Sequence, residues 1–290
     1  MKPAPFAYHR PESLDQVLAI LADFRDDAAV LAGGQSLMPM LNMRLARPAV
    51  VVDVNRLEGI AEIASDGEMV RIGALARFAA LARSPAVRAH LPLMALALPH
   101  IAHAAIRNRG SLGGSLALSD PAAEMPAVAV ALGAEIELAS TAGRRTVAAE
   151  DFYRGLYETA RRADEFLLAI RFPCQAPDEI SLFDELSRRH GDFAIVGLAG
   201  RTRYGAQGFS GSRIVFFGCE SHARPAAALS RCLDGRLWNA ETEALAAEAL
   251  AQDLRPTASL EGGPAFKLRV AQALTRRTLT RAATATPSDG

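Results

Sequence analysis

Two glycine-centred segments about eighty residues apart carry the most evident chemistry in this chain. They read Leu31-Ala32-Gly33-Gly34-Gln35-Ser36 and Gly110-Ser111-Leu112-Gly113-Gly114-Ser115. Each joins two adjacent glycines to a small hydroxyl residue. Glycine lets a backbone approach a ligand closely and reach positive φ. Consecutive N–H groups in such a turn form a concave anion site, and a hydroxyl adds a further donor. Two loops of this kind suffice for both phosphates of a dinucleotide. Neither matches the common phosphate signatures, since the chain has no G-x-x-x-x-G-K-[ST] and no G-x-G-x-x-G leading into a helix.

Other constellations are weaker. His100 and His103 stand three residues apart on a segment expected to be helical, so both could face one metal, but no third ligand with sensible spacing accompanies them. The three cysteines, Cys174, Cys219 and Cys232, are isolated and odd in number, which argues against a disulfide framework or a cysteine-held iron–sulfur cluster in this chain. The absence of G-x-S-x-G and H-E-x-x-H leaves hydrolase and zinc-protease readings without support. No catalytic side chain and no metal ligand set is assigned.

The elements that must position the loops follow from periodicity and punctuation. Ser13 is a plausible N-cap for a helix in which Leu14, Val17, Leu18 and Leu21 share a face. A short apolar strand, Ala28 to Leu31, runs into the first loop. A helix or turn interrupted by Pro39 follows, then a buried strand from Pro48 to Val54. Glu68 to Ala74 reads as a strand, Phe78 to Arg83 and Pro85 to Ala89 as helices, and Leu93 to Ile106 as one apolar helix delivering the chain to the second loop. Pro121 to Leu132 is a further helix and Glu135 to Leu138 a strand. The run Pro173-Cys174-Gln175-Ala176-Pro177 marks a boundary. Beyond it lie β-like runs at Phe193 to Val196 and Arg213 to Phe217, then helices over Ala240 to Ala251 and Pro264 to Thr280. These breaks divide the chain into 1–55, 56–177 and 178–285, with a flexible tail at 286–290.

Composition bounds the function. The 290 residues are half hydrophobic, enough for a sizeable core, and 32 Lys+Arg balance 32 Asp+Glu. A nucleic-acid role calls for a basic field, and a neutral total offers none. The amino terminus lacks the apolar stretch of a signal peptide, and no run of about 18 uncharged apolar residues suggests a membrane span. The expected location is cytoplasmic.

Three stretches, in this order, carry a family resemblance: Val30-Leu-Ala-Gly-Gly-Gln-Ser-Leu-Met-Pro-Met-Leu-Asn-Met-Arg-Leu-Ala-Arg-Pro48, Ile106-Arg-Asn-Arg-Gly-Ser-Leu-Gly-Gly-Ser-Leu-Ala-Leu-Ser-Asp-Pro-Ala-Ala-Glu-Met-Pro126 and Ser187-Arg-Arg-His-Gly-Asp-Phe-Ala-Ile-Val-Gly197. Together they resemble the FAD-binding medium subunits of molybdenum hydroxylases, the family of the carbon monoxide dehydrogenase medium subunit and the xanthine dehydrogenase FAD module. The likeness covers essentially the whole chain. It implies an α+β fold of the vanillyl-alcohol-oxidase-like (PCMH) type, in which two subdomains clamp FAD, followed by a carboxy-terminal domain of antiparallel sheet and helices. It implies non-covalent FAD in this chain. Iron–sulfur clusters would lie in a small partner subunit and molybdopterin in a large one, the assembly being a dimer of heterotrimers. The chain would take electrons from the clusters and pass them to an external acceptor.

Carried over by position, the resemblance implies that Ala32, Gly33, Gly34, Gln35 and Ser36 wrap the pyrophosphate, with Ser111, Leu112, Gly113, Gly114 and Ser115 closing from the other side. Glu124 would reach the adenosine part through ribose hydroxyls. Asp120 is either an alternative for that role or a turn former before proline. Ile101 matches an apolar contact and Leu167 a backbone contact. Phe193 is either the aromatic beside the isoalloxazine ring, where some relatives have tyrosine, or an ordinary core residue. Asp184 stands where xanthine dehydrogenases place a lysine, so its charge would disfavour an anionic reduced flavin if it faced the ring. His190 lies in the third stretch, either hydrogen-bonding near the flavin or capping a turn. Two rival functions are a free-standing flavin-dependent oxidoreductase of the same fold and a scaffold without FAD.

Overall fold

The structure, a computed structural model, describes residues 2–285, so the expected flexible tail at 286–290 lies outside the described residues. The first part comprises β1 (Ala7–His9), α1 (Leu14–Phe24), β2 (Ala28–Leu31), α2 (Leu37–Asn42) and β3 (Val50–Asp53). Its three strands form a parallel sheet in the order β1-β3-β2. Central β3 is buried along its whole length, as a continuous Val run between two parallel neighbours should be. Ser13 caps α1 as expected, its hydroxyl accepting from the Gln16 N–H at 3.3 Å.

The second part contains β4 (Ile63–Ser65) and β5 (Met69–Gly73), then the helices α3 (Phe78–Arg83), α4 (Pro85–His90), α5 (Pro92–Ala97), α6 (Ala104–Arg107), α7 (Leu112–Leu118) and α8 (Glu124–Leu132). The chain continues through β6 (Glu135–Ser140), β7 (Gly143–Ala148), the turn-like α9 (Ala149–Phe152), the small hairpin of β8 (Tyr153–Gly155) with β9 (Glu158–Thr159), and β10 (Phe166–Pro173). An antiparallel sheet in the order β4-β5-β10-β6-β7 backs these helices.

The single apolar helix expected from Leu93 to Ile106 is broken here. Helix α5 stops at Ala97, a 3₁₀ turn covers Leu98–His100, and the chain turns through Ala102 at φ 43° before α6. Pro99 lacks the N–H a continuing helix requires and crowds the preceding turn. The Arg107 guanidinium fastens the corner by donating to the carbonyls of Ile101 (2.8 Å) and Ala102 (2.7 Å). His100 and His103 therefore do not share a helical face.

The third part is an antiparallel sheet of β11 (Ile180–Leu186), β12 (Val196–Gly205), β13 (Gly208–Phe217) and β14 (Arg224–Pro225), with helices α10 (Ala227–Leu233), α11 (Ala240–Asp253) and α12 (Pro264–Ala285). Phe193 to Ile195 precede β12 rather than opening it. Strand alternation splits this sheet between two cores. Leu182, Val196, Leu198, Ile214 and Phe216 face the carboxy-terminal helices, while Phe183, Ala199, Val215 and Phe217 join the core of the second part. Within the core of the second part, packed on β12 and β13, lies α8, all nine residues of which are buried. A helix apolar on every side belongs inside a core, not on a surface.

Candidate functional site

The first glycine loop leaves β2 at its carboxyl end, beside β3. Gly34 has φ 72°, the left-handed region glycine enters without strain. Among the described residues, no protein acceptor receives the backbone N–H of Gly33, Gly34, Gln35 or Ser36. These donors point out of a loop whose own carbonyls are occupied: Gln35 Nε2 donates to Gly33 O at 3.0 Å, and Asn55 Nδ2 to Ala32 O at 2.8 Å. Such a cluster of free N–H groups is an anion site by construction.

The second loop caps α7, and its donors are occupied. Leu112 and Gly113 donate to Ala76 O (3.0 Å) and Ala74 O (2.9 Å) beyond β5, Gly114 to Ser111 Oγ (3.3 Å), and Ser115 to Ser111 O (3.1 Å). The sequence reading of two equivalent N–H nests thus holds for one loop only. The second contributes surface: Gly114 is exposed, and a Cβ there would meet only the Ser111 hydroxyl at 2.9 Å and the Ala32 methyl of the first loop at 3.9 Å.

The two loops pack back to back. A Cβ at Gly33 would press on Arg109 O and lie 2.9 Å from Gly110 Cα and 3.0 Å from the Arg109 carbonyl carbon. Gly33 is therefore bare chiefly to admit the other loop's backbone. A polar chain holds this contact. Tyr8 OH donates to Asp53 Oδ2 at 2.5 Å, Asp53 Oδ1 accepts from the Asn55 side chain at 2.6 Å, and Arg77 bridges Asn55 Oδ1 (2.5 Å) to Arg109 O. Burial pushes the Asp53 carboxyl up, but hydrogen bonds from Tyr8 and Asn55, with Arg10 nearby, outweigh it and hold it below its ordinary value. Asn55, Arg77 and Arg107 were not singled out from sequence; the only local hint was a polar pair, Asp53 and Asn55, closing an apolar strand. A cavity of about 460 Å³ opens beside the first loop, lined among others by Gly34, Gln35, Met38, Asp53, Asn55 and Arg109.

The remaining candidates form a second group. Glu124 opens α8 and is only 6 % exposed. Among the described residues no cation pairs with it, and burial pushes its carboxyl up to about 8, helped by the fields of Glu185 and Asp120. A buried carboxyl with its own backbone N–H as donor still has acceptor capacity to spare, and leaving it unused is costly unless a ligand supplies further donors. Leu167 is buried in β10, and its neighbour Leu168 O accepts from Ala74 N, tying it to the second loop. Asp120 is occupied as a turn former, Oδ1 accepting from Ala122 N at 2.9 Å and Oδ2 from Tyr157 OH at 3.2 Å. Ile101 is buried at the Arg107 corner. Gly191 packs on that same corner, since a Cβ there would lie 2.8 Å from Ala102 O and 3.0 Å from His103 Nδ1. This brings Phe193 to the same region, 64 % exposed, so the ordinary-core reading of that side chain does not hold. Asp184 is bound by Arg277 (2.5 and 2.6 Å) and Arg281 (2.8 Å) of α12. Its charge is paired with both arginines within the protein.

Two loops, one a nest of free donors and the other an open glycine face, braced in a mixed α+β frame, define a dinucleotide-binding module. Residues 4–175 match the family described as FAD binding domain in molybdopterin dehydrogenase, and residues 181–282 match the CO dehydrogenase flavoprotein C-terminal domain. The chain belongs to this family of FAD-binding molybdopterin-dehydrogenase subunits. It is 37 % identical over 283 residues to the 6-hydroxypseudooxynicotine dehydrogenase complex subunit alpha of Paenarthrobacter nicotinovorans, covering 97 % of this chain and 96 % of that one. It is 35 % identical over 283 residues to the carbon monoxide dehydrogenase medium chain of Hydrogenophaga pseudoflava, covering 97 % and 98 %. Among solved structures it resembles a carbon monoxide dehydrogenase from Hydrogenophaga pseudoflava that lacks the Mo-pyranopterin moiety of its cofactor, with a TM-score of 0.94 at 36 % identity over 98 % of this chain and 99 % of that one.

Proposed function

We propose that this chain is the FAD-carrying, electron-transferring medium subunit of a multi-subunit molybdenum hydroxylase. The observation that carries the reading is the first glycine loop, with four unpaired backbone donors set against the bare face of Gly114. The free donors suit a pyrophosphate, and the buried Glu124, with acceptor capacity beyond its own backbone N–H, suits the hydroxyl or N–H groups of a bound nucleotide. Ala32 to Ser36 would hold the pyrophosphate. Ser111 to Ser115 would close over it, chiefly through the Gly114 face and the Ser115 hydroxyl. Glu124, Ile101, Leu167 and Phe193 would contact the rest of the FAD, with Asp120 shaping the turn before Glu124. When bound, FAD would supply the stepwise electron chemistry that no side chain provides. The protein's part is to bind it without a covalent bond, exclude water from it and fix its orientation.

In this reading 1–55 and 56–177 are the two subdomains of a vanillyl-alcohol-oxidase-like, PCMH-type fold, and 178–285 is the carboxy-terminal domain. The partners are a small subunit with iron–sulfur clusters and a large subunit with molybdopterin, assembled as a dimer of heterotrimers in the cytoplasm. Three free cysteines suit a reducing compartment, and no helix among the described residues is long and apolar enough to cross a membrane. The test is the visible absorbance of the purified chain, with acid release of its pigment. Released FAD supports the reading. A colourless chain that takes up no added FAD, alone or with its partners, refutes it.

A further inference from the structure

One buried carboxyl has no role in holding FAD. Glu185, at the end of β11, has a side chain 3 % exposed, and its Oε1 lies 3.2 Å from His100 Nδ1. Its Oε2 is buried without any hydrogen-bond partner among the described residues. His100 is one-third exposed and packs on Phe183 (ring centroids 4.8 Å apart) and on His190 (5.6 Å, edge to face). The groups facing this pair come from every neighbouring element: Glu124 at the start of α8 with Asp120 behind it, Asp184 on the same strand, His190 from the loop before β12, and Arg277 and Arg281 of α12. Both arginines are committed to Asp184.

Burial, reinforced by Asp184, pushes Glu185 up to about 7, while burial pulls His100 below its ordinary value. At neutral pH the imidazole is thus uncharged and Glu185 is divided between its protonated and ionised forms, so the contact is a hydrogen bond rather than an ion pair and the carboxyl can still take up a proton. An imidazole so placed can accept a proton at Nε2 and pass the one on Nδ1 to the carboxylate.

We propose that His100 and Glu185 form a proton-holding pair beside the flavin ring, Glu185 taking up one proton through His100 when negative charge arrives in the pocket and returning it when the charge leaves. This rests on the flavin site proposed above, in which Ile101, next to His100, is an apolar contact to the FAD and Phe193, three residues beyond His190, is the aromatic beside the ring. The step balances simply. Electrons reach the flavin from the iron–sulfur donor. A solvent proton binds His100 Nε2, the Nδ1–H bond breaks, and an O–H bond forms on Glu185. Nothing else is oxidised or reduced.

The experiment follows the flavin midpoint potential of the FAD-loaded protein against pH, comparing wild type with Glu185→Gln. From the slope between pH 6 and 8, wild type takes up more protons per flavin reduced than the variant, and the two converge below about pH 5, where Glu185 is already protonated. Parallel slopes overturn the proposal. Separately, ¹³C NMR of the Glu185 carboxyl in the flavin-free chain gives a midpoint near 7, and an ordinary glutamate midpoint overturns the pair. Should Glu185→Gln fail to fold, His100→Asn, at a turn one-third exposed, serves instead. It removes the relay, so proton uptake slows many-fold at unchanged extent; an unchanged rate refutes the route through His100. A wild-type chain that binds no FAD refutes the function proposed above and the coupling with it, whereas the NMR midpoint still reports on the pair itself.

Discussion

Alanine substitution at Gly33 and at Gly114 separates two tasks that sequence alone assigns equally to both residues. At Gly33 the new methyl lies 2.9 Å from Gly110 Cα and 3.0 Å from the Arg109 carbonyl carbon. Both are backbone atoms, and Arg109 O is further pinned by Arg77, so no side chain can swing away to relieve the clash. Overpacking of this kind costs about 1–3 kcal/mol. At roughly 2–4 °C per kcal/mol for a chain approaching this size, Gly33→Ala should lower Tm by several degrees in the flavin-free protein. At Gly114 the methyl meets the Ser111 hydroxyl at 2.9 Å, which can yield by a few tenths of an ångström while keeping its 3.3 Å cap to the Gly114 N–H, and the Ala32 methyl at an ordinary 3.9 Å. Gly114→Ala should therefore keep Tm within about 1–2 °C of wild type yet weaken FAD binding by at least tenfold. Differential scanning fluorimetry without flavin and fluorescence titration with FAD measure the two effects. A Gly33→Ala protein as stable as wild type would refute the back-to-back packing, and a Gly114→Ala protein with wild-type FAD affinity would refute the placement of the cofactor against that face.

Other outcomes follow from the same geometry. Arg77→Ala leaves Asn55 Oδ1 and Arg109 O without their donor, which should cost about 1–3 kcal/mol and weaken FAD binding, read by the same two assays. Asp184→Asn disturbs a carboxylate shared by two largely exposed arginines, so the stability loss should stay within about 1 kcal/mol; chemical denaturation checks it. Glu124 has a folded-state pKa raised to about 8 and Glu185 one raised to about 7, so the folded state holds more protons than the unfolded one above ordinary glutamate values. Stability of the flavin-free protein should accordingly fall as pH rises from about 4.5 to 8. Glu124→Gln should flatten that fall in a Tm-against-pH series, and an unchanged slope would contradict the burial of this carboxyl.

Much of the site was legible because its signal is local. A glycine pair beside a hydroxyl residue says that backbone must come close to something, and Ser13 before an amphipathic run says where a helix begins. What the glycines approach is not local. Gly33 meets Arg109 and Gly110, and Leu112 and Gly113 spend their donors on Ala76 and Ala74, residues set by the return of β5 against α7. The brace through Asn55 and Arg77 joins groups 22 and 32 residues apart, a separation that no spacing rule reports. The break in the Leu93–Ile106 segment was visible in Pro99, but the apolar run around it outweighed that one residue. Asp184 shows the same gap in reverse: its position suggested a charge that would act on the flavin if it faced the ring, and the arginines that pair with it arrive from more than ninety residues downstream.

The encasement of α8 bears on how this protein can be taken apart. Two family signatures meet near residue 178, which invites cutting the gene there. Yet the face of α8 that the second part leaves uncovered is covered by β12 and β13, and the helix has no water-facing stripe to fall back on. A fragment ending at 177 would leave the β12- and β13-facing side of this apolar helix open to solvent and would be prone to self-association. Expression of the flavin-binding portion alone would therefore require a surrogate for the missing sheet.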